Sequence, residues 1–307
     1  MTRWLVTGAG GLLGLNFALR HARQQTVVGV VHRQGLVGVP FETLQADLSQ
    51  PGAVDAVLAA ARPDVILHAA AIANVDACES DPQTAQRMNT ELPAELARAA
   101  ARLGIQMVHI STDAVFDGKV GYYREEDAPN PLSVYARTKL AGEQAVLAAF
   151  PQALVARVNF FGWSLAGKRS LAEWFFNNLR AGRNMKGFTD VLFCPMNVIH
   201  LSDLLAEMAA QGLTGLYHVV GPEALSKYEF GLRIARRFRF SAKLIEPASV
   251  YDGGLAAARS PNLTLNTDKL RAALGQDLPD VSAGLDLFYH QFRQGYPDML
   301  RTLGAAA

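Results

Sequence analysis

Cysteine is scarce: Cys78 and Cys194 are the only two in 307 residues, far apart and without a C-x-x-C pair. That excludes a disulfide framework and supplies no thiolate set for structural zinc, so a reducing cytoplasm is the expected compartment. No uncharged apolar run reaches the roughly 18 residues of a membrane-spanning helix. Met1-Thr2-Arg3 leads straight into a short strand instead of an apolar signal core, so a soluble, unprocessed chain that meets no membrane is expected. An excess of one charge is lacking too, since 29 Lys+Arg against 28 Asp+Glu leave a formal charge of +1. No long-range field then favours nucleic acid or an anionic surface, and the expected partner is a small molecule or another protein. The seven histidines are scattered with no H-E-x-x-H or similar spacing, so no metal is expected. No internal repeat or low-complexity tract is visible, and Ala305-Ala306-Ala307 reads as a fraying end.

What is present is length and apolar patterning. At roughly 150 residues per domain the chain makes about two folding units or one elaborated one. Trp4 to Val6, Thr26 to Val31, Val65 to His68, Met107 to Ser111 and Leu154 to Val158 read as strands alternating with Ala/Leu-rich helices, the pattern of parallel βαβ units. The strands lack polar alternation, as strands covered on both faces should. Leu92, Leu96, Ala100 and Leu103 form one apolar helical stripe, and Asp81-Pro82 reads as a helix start. The fold class expected is α/β, a Rossmann-type doubly wound parallel sheet over residues 1–160, with a smaller C-terminal substrate lobe over 161–307 and some later segments returning to the first unit. In that lobe Ser226-Lys227-Tyr228-Glu229 is a capping box opening a helix to about Phe238.

The first strand runs into Thr7-Gly8-Ala9-Gly10-Gly11-Leu12-Leu13-Gly14, followed by a helical pattern over Leu15 to His21. Glycine there permits positive φ, lets a pyrophosphate approach the backbone, and leaves helix N–H groups aimed at phosphate. The fitting spacing is Gly8-x-x-Gly11-x-x-Gly14; an ordinary helix-entry turn is the plainer alternative. Dinucleotide folds usually place an acid at the end of the second strand. Here that strand ends Val30-Val31-His32-Arg33, so Arg33 is either a partner for a 2′-phosphate or a solvated loop charge.

Ser111-Thr112-Asp113 follows a strand, and Tyr135-Ala136-Arg137-Thr138-Lys139 gives Y-x-x-x-K. On a helix i and i+4 share a face, so an ammonium at Lys139 would favour phenolate at Tyr135 and lower its value from near 10. A tyrosine so tuned exchanges a proton with a carbonyl at neutral pH.

With these pieces in order the sequence resembles the extended short-chain dehydrogenase/reductases, above all the dTDP-4-dehydrorhamnose reductase branch. The resemblance rests on Gly8 to Gly14; on His68-Ala69-Ala70-Ala71 with Asn74-Val75-Asp76-Ala77-Cys78-Glu79; on Ser111 to Gly118; and on Pro131 to Glu143. It spans nearly the whole chain, more sharply before residue 160. It implies an NADPH-dependent reductase, with NADH possible, of a 4-keto-6-deoxy nucleotide sugar, in which hydride reaches the C4 ketone as Tyr135 protonates the oxygen. Thr112, Tyr135 and Lys139 would be catalytic, Lys139 also holding the nicotinamide ribose. The cofactor cleft would take Gly8, Gly11, Leu12, Leu13, Gly14, His32 and Arg33, then Asp47, Leu48, Ala69, Ala70 and Ala71, besides Tyr135 and Lys139. Asp113, Asn159, Trp174 and Arg259 would lie toward the substrate, and the molecule would be a monomer or homodimer. Two departures concern the sugar. Position 114 is alanine where the branch commonly has tyrosine, and its tryptophan segment reads Asn159-Phe160-Phe161-Gly162-Trp163.

Rival readings remain. An epimerase or dehydratase of the same fold would use the same triad, although Thr112-Asp113-Ala114 lacks a dehydratase's second acid. The resemblance extends to the regulatory subunit of methionine adenosyltransferase, which keeps the fold as a non-catalytic partner. Gly162 to Lys168 matches G-x-x-x-x-G-K, but Arg169 stands where a P-loop needs a hydroxyl for magnesium. Gly162 to Gly167 misses the serine nucleophile elbow by one residue, Ala166. Arg233, Arg236, Arg237 and Arg239 could hold a nucleotide diphosphate, though a solvated helix face accounts for them better. Trp163, Trp174, Phe175 and Phe176 offer a stacking surface or, for most of them, core.

Overall fold

The computed structural model describes residues 1–252 and 260–304. Arg259 and Ala305 to Ala307, on which two expectations fell, lie outside them.

Seven parallel strands form the central sheet in the order β3-β2-β1-β4-β5-β6-β11. In chain order the first half is β1 (Arg3–Thr7), α1 (Leu12–His21), β2 (Thr26–Val31), β3 (Glu42–Gln45), α2 (Ala53–Ala61) and β4 (Val65–His68). Then come α3 (Val75–Ser80), α4 (Pro82–Gln86), a π turn over Arg87–Glu91, α5 (Leu92–Leu103), β5 (Gln106–Thr112), α6 (Val134–Ala149) and β6 (Leu154–Val158). β4 and β6 are buried at every position because helices cover both faces, which is why they read as unbroken apolar runs. Leu13 and Phe17 of α1 pack on one face, and Val57, Leu96 and Val146 from α2, α5 and α6 on the other. The strand order reverses between β1 and β4, where open α/β sheets bind ligands at their carboxyl ends.

Local signals hold where they were specific. Asp81 caps α4 by accepting from Thr84 N–H, and Leu92, Leu96 and Ala100 are buried. Leu103, the last residue of that stripe, is exposed because α5 ends there at Gly104 (φ 67°). Helix α1 starts three residues earlier than expected, at Leu12.

The second half contains β7 (Phe160–Phe161), α7 (Leu171–Arg180), β8 (Met185–Phe188), β9 (Leu192–Phe193), β10 (Met196–Asn197) and α8 (Val198–Ala210). It continues with β11 (Gly215–Val219), β12 (Leu225–Ser226), α9 (Lys227–Phe238), β13 (Ile245–Ala248), α10 (Asp268–Leu274), α11 (Val281–Arg293) and α12 (Tyr296–Thr302). Segment 196–219 belongs to the sheet: α8 packs beside α1, and β11 pairs with β6 from Gly215↔Leu154 to Val219↔Val158. The remainder surrounds an aromatic core in which Trp163 stacks on Phe288 at 3.9 Å and Phe175, Phe176 and Phe230 are buried. The capping box at Ser226 and Glu229 is formed as expected. A second capping box, which the sequence reading missed, forms at Ser170 and Glu173, whose S-x-x-E pattern is equally present in the sequence.

Candidate active site

Two cavities meet the carboxyl ends of the strands. The larger, about 760 Å³, runs over the glycine turn and is lined by Gly8, Gly10, Gly11, His32, Arg33, Asp47, Leu48 and Ala70, all but Gly10 among the expected cofactor residues. Gly8 takes φ 70°, and a Cβ there would press on the Ala70 backbone; a Cβ on Gly14 would overlap the Gly8 carbonyl oxygen. Both glycines therefore serve the close packing of α1 on β1 and β4. Gly10 differs, because it lines the cavity and a Cβ there would meet nothing within 4 Å. The N-terminus of α1 has no side-chain cap and no acid in its first turn. An open cradle at an uncapped helix N-terminus suits a pyrophosphate, so the residues present fit a dinucleotide. Leu13 is core, Leu12 packs against that core, and Ala69 is half-buried beside Gly8. Ala71 is exposed after β4.

Just past the end of β2, His32 Nε2 lies 3.6 Å from Asp47 Oδ2. Hydrogen bonds from Ser49 and Gln50 hold the Asp47 carboxyl down at about 2. Sequence reasoning missed Gln34, Thr84, Arg87, Leu165 and Arg169 on these walls. Their contribution depends on contacts between segments far apart in the chain, and only the loop motif at 162–169 touched on two of them, Leu165 and Arg169.

The smaller cavity, about 150 Å³, holds Tyr135 and Asn159 with Ala114, Ser133 and Lys227; Val75, Leu192 and Phe193 supply apolar walls. Ser133 caps α6 by accepting from Ala136 N–H, which fixes Tyr135 in the first turn. Thr112 closes β5, its hydroxyl donating to Asp113 Oδ1 at 3.1 Å, while Asn159 Nδ2 donates to Asp113 Oδ2 at 2.5 Å. Burial lifts the Asp113 carboxyl to about 6 against these bonds.

The electrostatics of Tyr135 differ from the sequence expectation. Desolvation pushes its phenol up to about 12, offset only in part by a hydrogen bond with Thr112. Lys139 does share the helix face, but its Nζ donates to the Ile110 carbonyl at 2.6 Å, and burial lowers the ammonium to about 8. Spacing on a helix gives proximity; burial between α6 and the sheet decides the sign. Beneath α6 the stacked rings of His68 and His109, 5.4 Å apart, are held neutral by burial, with Lys139 adding to the shift. His68 Nδ1 and Thr7 Oγ1 are 2.7 Å apart. Glu143 of α6 bonds Ser111 and pairs with buried Arg157 at 2.8 Å, pinning the helix to β5 and β6. The π turn does the same at α4–α5, Asn89 bonding both Ile72 and Thr138.

Trp174 lines neither cavity and is 42% exposed on α7, while Trp163, Phe175 and Phe176 are core. Arg233 pairs with Glu223 and Arg237 with Asp286, so the arginine run is a helix face with acids of its own. Among the described residues no three His, Cys, Asp or Glu gather as a metal would need, and no helix is long and apolar enough to cross a membrane.

A seven-stranded parallel sheet with a glycine turn on β1, a Thr at the end of β5 and Tyr-x-x-x-Lys on the following helix defines an extended short-chain dehydrogenase/reductase, an NAD(P)-dependent oxidoreductase. Within that class the chain belongs to the family described as the RmlD substrate binding domain, whose model matches residues 2–294. Relatives include a probable low-salt glycan biosynthesis reductase of Haloferax volcanii, 32% identical over 91% of this chain and 95% of its own. A dTDP-4-dehydrorhamnose reductase of Mycobacterium tuberculosis is 35% identical over 86% of this chain and 85% of its own. The methionine adenosyltransferase 2 subunit beta of Bos taurus is 32% identical over 90% and 84%. In fold, the chain superposes on the dTDP-4-dehydrorhamnose reductase of Bacillus anthracis in complex with NADP with a TM-score of 0.82, at 24% identity over 94% of this chain and 99% of that one.

Proposed function

We propose that the chain is an NADPH-dependent reductase of a 4-keto-6-deoxy nucleotide sugar, with Tyr135 as proton donor to the ketone oxygen. The observation that carries this reading is the small cavity, where Tyr135 and Asn159 meet apolar walls from Val75, Leu192 and Phe193. A ketone oxygen requires donors, and a 6-methyl group requires walls that ask for no hydrogen bond. The relatives named as glycan biosynthesis and dTDP-4-dehydrorhamnose reductases support that substrate class.

When bound, the nicotinamide supplies the hydride that reduces the ketone carbon. A phenol held near 12 stays protonated at neutral pH, which is the state a proton donor needs. Thr112 bonds both that phenol and Asp113, which orients Tyr135. Lys139, still mainly cationic at pH 7, is assigned to the ribose hydroxyls and to steadying the phenolate left after transfer. His32 and Arg33, with no carboxylate at the end of β2, leave room for a 2′-phosphate.

The test is NADPH oxidation against a panel of 4-keto nucleotide sugars. Stoichiometric consumption with one member is expected, whereas an epimerase or dehydratase returns its cofactor unchanged. NADPH binding without turnover of any member would overturn the reductase reading in favour of a binding subunit.

A further inference from the structure

The segment from Gly162 to Ser170 resembles a phosphate loop in sequence yet lacks the magnesium hydroxyl, and the reductase chemistry makes no use of it. In the structure it is a rigid loop organised by one buried carboxylate. Glu173, fully buried, accepts from Ser164 N–H at 2.7 Å, Arg169 N–H at 2.8 Å, Ser170 N–H at 3.1 Å and the Ser164 hydroxyl at 2.8 Å. Ser170 Oγ donates to the Gly162 carbonyl at 2.8 Å, and Asn177 Nδ2 donates to that of Gly167 at 2.8 Å, where φ is 66°. So many bonds fix the backbone that carries Leu165 and Arg169 into the dinucleotide cleft.

The position of the loop along the cleft follows from a shared neighbour. A Cβ built on Gly304 would lie 3.1 Å from Gln34 Nε2 and 3.8 Å from the Leu165 methyls. Leu165 therefore stands beside the residue that follows Arg33, at the adenosine end and not at the nicotinamide end. Arg169 is exposed, its backbone N–H is tethered to Glu173, and it lines the same cleft as His32, Arg33 and Gln34.

We propose that Arg169 faces Arg33 across the cleft and that the two guanidiniums together bind the 2′-phosphate of NADPH, which makes the loop at 162–170 a determinant of cofactor choice. The inference rests on the cleft being a dinucleotide site. Guanidinium matches phosphate geometry, and a charge-assisted bond of about 1.5 to 3 kcal/mol is worth roughly 10-fold to 100-fold in affinity.

The test is calorimetric titration of wild type, Arg33→Ala, Arg169→Ala and the double variant with NADPH, NADH, adenosine 2′-monophosphate and adenosine 5′-monophosphate, with melting curves as a check on folding. Wild type is expected to prefer NADPH. Arg169→Ala should weaken NADPH and adenosine 2′-monophosphate at least 10-fold while holding NADH within about two-fold, and the double variant should lose the preference altogether. Arg169→Lys should recover part of the loss. Equal weakening of NADPH and NADH would place Arg169 on the pyrophosphate and overturn the proposal, as would a variant that keeps its NADPH affinity. Wild type that binds neither dinucleotide would instead overturn the cofactor reading itself.

Discussion

Tyr135→Phe removes one hydroxyl and leaves the ring against its neighbours. If the phenol gives its proton to the ketone, kcat should fall by roughly 10² to 10⁴, while NADPH affinity, read by calorimetry, changes only a few-fold. Near-normal turnover would take Tyr135 out of the chemistry. Asp113 tests the electrostatics from another side. Around it stand Thr112 on β5, Tyr135 on α6, Asn159 after β6, Lys227 on α9 and Cys194 after β9. Burial lifts its carboxyl from 3.8 to about 6, so between those values the folded chain keeps a proton that the unfolded chain has lost. Stability from this group is therefore highest below 3.8 and falls as pH rises to about 6; beyond that the buried charge costs about 3 kcal/mol. Asp113→Asn should be more stable than wild type by up to about that much at pH 8 and equal to it near pH 4, as measured by urea denaturation. Equal destabilisation at both values would mean that the bonds from Asn159 and Thr112 outweigh the desolvation. His68 and His218, pushed down to about 3 by burial, act with the opposite sign. They weaken both proteins as pH falls below 6.5, and the comparison of variant with wild type cancels them. Residue spacing brought Tyr135 and Lys139 together in the sequence, and its place at a strand end singled out Thr112, but the proton affinities belong to burial, which no spacing encodes.

The glycine turn separates two duties that a sequence motif joins. Gly14→Ala would drive a Cβ into the Gly8 carbonyl, so α1 must lift from β1, at a cost of about 1 to 3 kcal/mol and with weaker dinucleotide binding. Gly10→Ala meets no protein atom, so its melting temperature should hold or rise slightly, while dinucleotide affinity should drop if the added methyl narrows the cavity that Gly10 lines. Parallel melting and calorimetry check the pair, and matching behaviour of the two variants would contradict the division. Other elements were legible only where a local device marks them. Asp81-Pro82 and Ser226-Glu229 announce helices by satisfying end N–H groups, and β4 and β6 announce themselves by unbroken burial. β3 carries Glu42 and Gln45 on an exposed edge, and β11 begins at Gly215 with φ 86° after a helical stretch, so neither shows the apolar run of a central strand.

Across the whole molecule the informative contacts join distant parts of the chain. Helix α12 buries Leu300, followed by buried Leu303, in the aromatic core; Tyr296 Oη donates to Asn16 Oδ1 at 2.9 Å, and Val37 N–H donates to the Leu303 carbonyl at 2.8 Å. Leu36 bridges Gly304, so the end of the chain braces the segment just past Arg33. Ending the chain at Gln294 should lower stability by up to about 3 to 6 kcal/mol for the two leucines alone. It should also weaken NADPH binding, read by melting and by calorimetry. A truncated chain that binds NADPH normally would show the brace to be idle. No local pattern connects residues that far apart, which is why the sequence implied that later segments return to the first unit without showing that they are α8 and β11.

The bracing of Leu36 by Gly304 also orders events in time. Synthesis runs from Gly8 toward Gly304, so the glycine turn leaves the ribosome long before Leu165, Arg169 and the brace that complete the cleft opposite it. A nascent chain has no finished cleft to fill. A dinucleotide held there would add its binding free energy only once both sides of the cleft are in place, so any stabilisation it gives belongs to the complete chain.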